Sequence, residues 1–216
     1  MKPHDENQAP QMMPQESAIP QGDDALGTKS TKPKRPWWRE LISWVVMLGS
    51  AVLIAYFINT VIIVNASVPT GSMRNTIPEG ARLVAWRLSY SFNNSPERLD
   101  VIVFECPDGS DTLYVKRIIG MPGETISIRG GQVFIDGAAE PLDEWYLMEP
   151  PAGPSLIDRS FVVPDASFFV MGDNRNDSRD SRQGPEENGW QNRFVPEGNI
   201  LGRASFTYFP RVGRIR

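Results

Sequence analysis

The chain has 216 residues but only one histidine, His4, and one cysteine, Cys106. That excludes a Ser-His-Asp triad in the folded part, a Cys-His protease, a Cys/His zinc cage and any internal disulfide. Its 22 Lys+Arg against 26 Asp+Glu leave a net charge of −4, without the basic stripe of a nucleic-acid binder. Hydrophobic residues make up 40%, enough for a packed core, and 19 Pro with 18 Gly favour turns and short strands over helices.

Residues 1–36 are rich in Pro, Gln, Asp and Ser and show no apolar period. Such a segment buries too little surface to offset its ordering entropy, so a disordered tail is expected. It closes on Lys29, Lys32, Lys34, Arg35 and Arg39, opposed by the single acid Glu40. From Leu41 to Val64 no side chain is charged, and Ser43, Ser50, Asn59 and Thr60 alone interrupt the apolar run. A helix over this stretch would reach roughly 36 Å, enough to cross a hydrocarbon core of about 30 Å. Trp37, Trp38 and Trp44 stand at its start, where interfacial aromatics belong. A cleavable secretory signal is the alternative, with Val64-Asn65-Ala66 as a faint cleavage site. The run is too long for that, however, and too far from the N-terminus. The reading is therefore a single transmembrane anchor over residues 37–64. The basic cluster places the N-terminus in the cytoplasm and the rest outside the cytoplasmic (inner) membrane.

Residues 65–216 have the length of one domain. Strand-like runs recur between turn signals at Arg82–Trp86, Asp100–Phe104, Leu113–Ile119, Thr125–Ile128, Val133–Asp136, Phe168–Met171 and Ile200–Tyr208. Arg129-Gly130-Gly131-Gln132 reads as a hairpin turn, and no amphipathic helix follows the anchor. A mainly β fold with antiparallel sheet is expected.

Of the five lysines, Lys2, Lys29, Lys32 and Lys34 precede the span, so Lys116 is the only side-chain amine beyond it. Period-two alternation puts Tyr114, Lys116 and Ile118 on one strand face. If that face is buried, desolvation lowers the amine's pKa and suits it to act as a general base. A snorkelling lysine with its head in water fits the same pattern. Close behind the span, Val68-Pro69-Thr70-Gly71-Ser72-Met73 can present a serine hydroxyl beside tight backbone amides, although it also describes an ordinary loop. Without a histidine, an activated serine there needs a lysine, and one is available. Lastly, Met171 to Arg182 (Met-Gly-Asp-Asn-Arg-Asn-Asp-Ser-Arg-Asp-Ser-Arg) is either a solvated loop with Asx turns or a polar network bracing a site.

Together these pieces resemble the signal peptidase I family of membrane-anchored serine-lysine peptidases. The matching stretches are Pro69-Thr70-Gly71-Ser72-Met73, Tyr114-Val115-Lys116-Arg117-Ile118-Ile119-Gly120-Met121-Pro122-Gly123, and Gly172-Asp173-Asn174-Arg175 with Ser178-Arg179-Asp180-Ser181-Arg182. The resemblance implies that Ser72 is the nucleophile and Lys116 the general base. It makes Thr70 an oxyanion donor beside the Ser72 N–H, and Ser178 the group that orients the amine. Asp180 and Arg182 match a supporting ion pair, and Asp173 and Arg175 match further structural positions. Val68, Met73, Ile77, Tyr114 and Val115 match residues lining shallow pockets for small side chains in an Ala-x-Ala pattern. Partners implied are the signal peptides of exported preproteins and membrane lipid; no metal, cofactor or nucleic acid is implied. Where the family has Arg-Gly-Asp before the second core strand, this chain has Arg98-Leu99-Asp100. Two other readings stay open: a peptidase dedicated to one substrate such as a pilin precursor, and a non-catalytic membrane-anchored β module.

Overall fold

The apolar run leaves the helix before its end. The computed structural model describes residues 36–91, 94–107, 109, 112–187 and 189–216, so the expected tail lies, but for its last residue, outside the described residues. Helix α1 covers Trp37–Phe57 and widens into a π turn over Ile58–Ile62. Trp37–Ile62 is the one described helix long and apolar enough to cross a membrane. Two of its polar side chains bond back to the backbone, Ser50 Oγ to Met47 O (2.8 Å) and Asn59 Nδ2 to Ala55 O (3.1 Å). Each thus spends a donor on a local carbonyl instead of leaving it open to apolar surroundings.

Ile63 and Val64 were expected inside the span but begin strand β1 (Ile63–Val68). The alternation Val64, Ala66, Val68 is what a half-buried strand needs, and all three side chains are buried. The faint cleavage site Val64-Asn65-Ala66 is thus part of a paired strand. By contacts the chain divides into two units, Met1–Ser43 and Trp44–Arg216, and the second holds every described strand.

The remaining strands are β2 (Ala81–Trp86), β3 (Val101–Glu105), β4 (Leu113–Gly120), β5 (Thr125–Arg129), β6 (Gln132–Ile135), β7 (Arg159–Val162), β8 (Ser167–Met171), β9 (Val195–Pro196), β10 (Ile200–Phe209) and β11 (Gly213–Arg214). All pairings are antiparallel. The larger sheet runs β1-β2-β10-β3-β4-β8-β9 with β11 on β10, and the smaller runs β6-β5-β7. The β5–β6 turn has both central residues at positive φ, Gly130 at 54° and Gly131 at 82°, as a tight hairpin demands.

Strand β4 lies inside the large sheet, with Lys116 opposite Ile102 of β3 and Arg117 opposite both Val101 of β3 and Met171 of β8. Alternate residues feed two cores. One gathers Val64, Val68, Leu83, Val101, Val103 and Val115; the other gathers Ile102, Phe104, Ile118, Phe168, Val170 and Trp190. Two residues before β3, Leu99 occupies a φ of 71°, the left-handed region that favours glycine. It is held there by its own N–H, which donates to Ile118 O (2.8 Å), and by its carbonyl, which accepts from Arg117 Nη1 (2.8 Å).

Candidate active site

Ser72 sits in a single 3-10 turn, Gly71–Met73, reached from β1 through extended Thr70 (φ −116°, ψ 157°). The fully buried Met73 side chain anchors the turn in the first core. Asn174 braces it from outside, donating from its backbone N–H to Ser72 O (2.9 Å) and from Nδ2 to Gly71 O (3.1 Å). Lys116 comes from β4. Its Nζ lies 2.7 Å from Ser72 Oγ and 3.2 Å from Val115 O, and 5.7 Å from the centre of the Tyr114 ring.

Lys116 is only 3% exposed. Burial lowers its pKa from 10.5 to about 8; Asp180 and Asp173 pull it upward and Arg182 downward, but desolvation wins. At pH 7.4 about one such amine in five is neutral, against fewer than about one in a thousand at the unperturbed value. The snorkelling alternative does not describe this nitrogen. Thr70, at the exposed rim, has its Oγ1 3.4 Å from Ser72 Oγ.

Ser178 departs from the expected arrangement. Its Oγ is buried and makes no hydrogen bond of ordinary geometry, to Lys116 or to any other described group, although the hydroxyl is close enough to favour the Asp180 carboxylate. Gly172 makes room for it. A Cβ there would collide with Ser178 Oγ and with the Ser72 carbonyl oxygen.

The polar stretch after β8 is a buried network, not a solvated loop. Asp180 and Arg182 form a two-pronged pair, Nε to Oδ1 at 2.8 Å and Nη2 to Oδ2 at 2.9 Å, and Asp180 Oδ2 accepts from Gly172 N (3.0 Å). Burial alone would raise the Asp180 pKa; Arg182 and these hydrogen bonds hold it below the usual carboxylate range. Asp173, two residues past β8, meets Arg117 because Met171 is Arg117's strand partner. The contacts are Nε to Oδ1 at 2.8 Å and Nη2 to Oδ2 at 2.7 Å, and Thr76 Oγ1 also donates to Asp173 Oδ2. Arg175 pairs with Glu144 and donates to Tyr146 Oη (3.2 Å).

Arg117, Thr76, Glu144, Tyr146 and Asn174 were not singled out from sequence. Only Arg117 carried a signal there, as a second cation beside Lys116 in an otherwise apolar strand, which a buried sheet must neutralise. Of the expected pocket residues, Met73 and Ile77 are fully buried in the first core, so they back the turn and line no open surface. Val68 and Val115 are nearly buried, and Tyr114 is half-buried.

A serine hydroxyl hydrogen-bonded to a desolvated lysine amine, on an antiparallel β domain, is an arrangement suited to a serine peptidase. The comparisons give the family. The family model described as signal peptidase, peptidase S26, matches residues 41–209. A probable signal peptidase I-1 of Synechocystis sp. is 36% identical over 180 residues, covering 80% of this chain and 85% of that protein. A signal peptidase I of Leptolyngbya laminosa is 36% identical over 187 residues, covering 81% and 84%. A solved signal peptidase I from Enterococcus faecalis V583 is 28% identical and covers 51% of this chain and 97% of its own, at a TM-score of 0.40. The chain belongs to the signal peptidase family, peptidase S26, and is a serine endopeptidase with one apolar N-terminal helix as a membrane anchor.

Proposed function

We propose that this endopeptidase removes signal peptides from exported preproteins after small residues, with Ser72 as nucleophile and Lys116 as general base. The observation that carries this reading is the 2.7 Å contact between a buried amine and the Ser72 hydroxyl. The neutral amine accepts the hydroxyl proton as Oγ attacks the scissile carbonyl. The ammonium so formed gives that proton to the leaving amine, and water then hydrolyses the ester on Ser72. The Ser72 N–H, at the start of its turn, and the Thr70 hydroxyl are the donors for the developing oxyanion. Asp173, Arg175, Asp180 and Arg182 act as positioning residues. Ser178, buried beside the Asp180 carboxylate, takes the same role.

Val68, Tyr114 and Val115 border the approach to Ser72 and admit small side chains by excluding larger ones. Enzyme and substrate anchored in one membrane meet at high effective concentration, which offsets shallow contacts. The basic cluster ending at Arg39 holds the N-terminus in the cytoplasm, and the β domain works outside the cytoplasmic membrane.

Cleavage of a preprotein in detergent tests the reading. Ser72→Ala should abolish it. Lys116→Arg should lower it by about 10³-fold or more, because a guanidinium does not deprotonate near neutrality. Appreciable cleavage by Lys116→Arg removes Lys116 as the base. A panel of unrelated preproteins separates general processing, in which most are cut, from a dedicated peptidase that cuts one.

A further inference from the structure

Four residues beyond Ser72 the surface changes character. A cavity of about 430 Å³ is lined by Asn75, Thr76, Trp145, Met148, Arg214 and Arg216, together with Tyr146. No acidic side chain lines it, although the chain as a whole is acidic. Its two arginines are exposed, and among the described residues neither guanidinium has an ion-pair or hydrogen-bond partner. Their direction is fixed by the residue between them. Ile215 is buried in the first core and its N–H donates to Ser205 O (2.9 Å), so Arg214 and Arg216 both turn outward.

The floor is equally fixed. The Trp145 ring meets Tyr146 edge-on at 5.8 Å, and Tyr146 lies under the Arg117 guanidinium at 4.1 Å. Arg117 is in turn locked to Asp173. Two unpaired cations over an aromatic and thioether floor suit a carboxylate-bearing peptide segment.

Taking Ser72 as the nucleophile, we infer that this groove is a subsite for acidic side chains just downstream of the cleaved bond. Chain reach places its near wall: Thr76 is four residues from Ser72, so their Cα atoms are at most roughly 14 Å apart. That distance equals about four residues of extended peptide. Upstream of the cut a signal peptide carries small residues and then an apolar run, with its charges far away and positive. Carboxylates this close to the cut therefore come from the downstream side.

The test uses the full chain in detergent with three preproteins identical up to the cut. They differ only at the second to fourth residues after it, bearing Asp/Glu, Asn/Gln or Lys. Wild type should cut the acidic substrate about three- to tenfold better than the neutral one in kcat/KM, mainly through KM, with the advantage shrinking at high salt. The double variant Arg214→Gln/Arg216→Gln should bring that ratio to about one, and Arg214→Glu/Arg216→Glu should reverse the preference toward Lys. Equal cutting of all three by wild type, or a preference that survives charge reversal, overturns the subsite. If charge reversal instead abolishes binding to phosphatidylglycerol–phosphatidylcholine vesicles and leaves the substrate ratios unchanged, the groove is a lipid contact and the inference is wrong. Ser72→Ala run in parallel keeps the two readings apart. Cleavage by that variant refutes the nucleophile, whereas equal rates with an inactive Ser72→Ala refute the groove alone.

Discussion

Lys116 and Arg117 are neighbours on β4, both cationic by type and both buried, yet their surroundings treat them in opposite ways. On its face, Lys116 meets two uncharged oxygens, Ser72 Oγ and Val115 O, and a tyrosine ring. Arg117, turned to the other face, meets the Asp173 carboxylate, the Thr76 hydroxyl, two backbone carbonyls and the Tyr146 ring. Burial is common to both, so partner supply decides the outcome. The unmatched amine sheds its proton easily, as the proposed base must, while the matched guanidinium becomes a girder.

The contrast can be broken most severely at Arg117. Arg117→Met leaves the fully buried Asp173 carboxylate without a counter-charge and should lower unfolding free energy by about 3–5 kcal/mol in a urea titration. Adding Asp173→Leu should recover much of that loss; no recovery would show that the pair is not the cause. Lys116 predicts the reverse sign. Its folded pKa of about 8 lies below the unfolded 10.5. The amine therefore destabilises the fold in full below about pH 8, progressively less as pH rises, and not at all above about 10.5. Lys116→Met should stabilise by about 1–3 kcal/mol at pH 7 and by almost nothing at pH 10.5, while abolishing cleavage.

The same titration shapes activity. For wild type, kcat/KM should fall about tenfold per pH unit below pH 8, and a flat profile from pH 5 to 8 would contradict a lysine base. The mildest change is Tyr146→Phe, which keeps the ring under Arg117 but removes the hydroxyl shared with Glu144 and Arg175. A loss of about 1 kcal/mol is expected, with the acid limb of the pH profile unmoved.

How much of this was readable from the chain depends on range. Seven strand-like runs between turn signals became β2 to β6, β8 and β10, because β-prone residues bounded by turn residues are a local signal; β7 was missed. β1 was hidden although it alternates, because its apolar residues continue those of α1 without a break. β9 and β11 span two residues each, too short for any period. Ser72 and Lys116 were singled out through the resemblance, with a missing histidine and a single distal lysine narrowing the field. Asp173, Arg175, Asp180 and Arg182 were expected there as supports, but the distant partners Arg117 and Glu144 were not. Arg117 and Asp173 are 56 residues apart, and Glu144 lies in a Pro- and Gly-rich stretch with no pattern. Met73 and Ile77 were read as pocket walls, since a sequence cannot say which side of an apolar residue faces out.

Leu99 is a separate case. The resembled pattern has glycine there, and this chain keeps the glycine-like φ of 71° with a leucine. A conformation of this kind carries about 1–2 kcal/mol of strain, and two hydrogen bonds, one from the Arg117 side chain, and packing against the cluster of Ile119, Ile126, Phe169 and Met171 hold it.

β1 has one more consequence. If the enzyme cuts just past an apolar run, after alternate small residues, as proposed, it carries a faint version of such a sequence in its own body at Val64-Asn65-Ala66. Every residue of it is laddered to β2, from Ile63 opposite Trp86 to Val68 opposite Ala81, and the first and third side chains are sunk in the interior. A second copy would have to unzip the strand before it could grip the bond. Under the proposed specificity, pairing with β2 shields that bond for as long as β1 stays zipped.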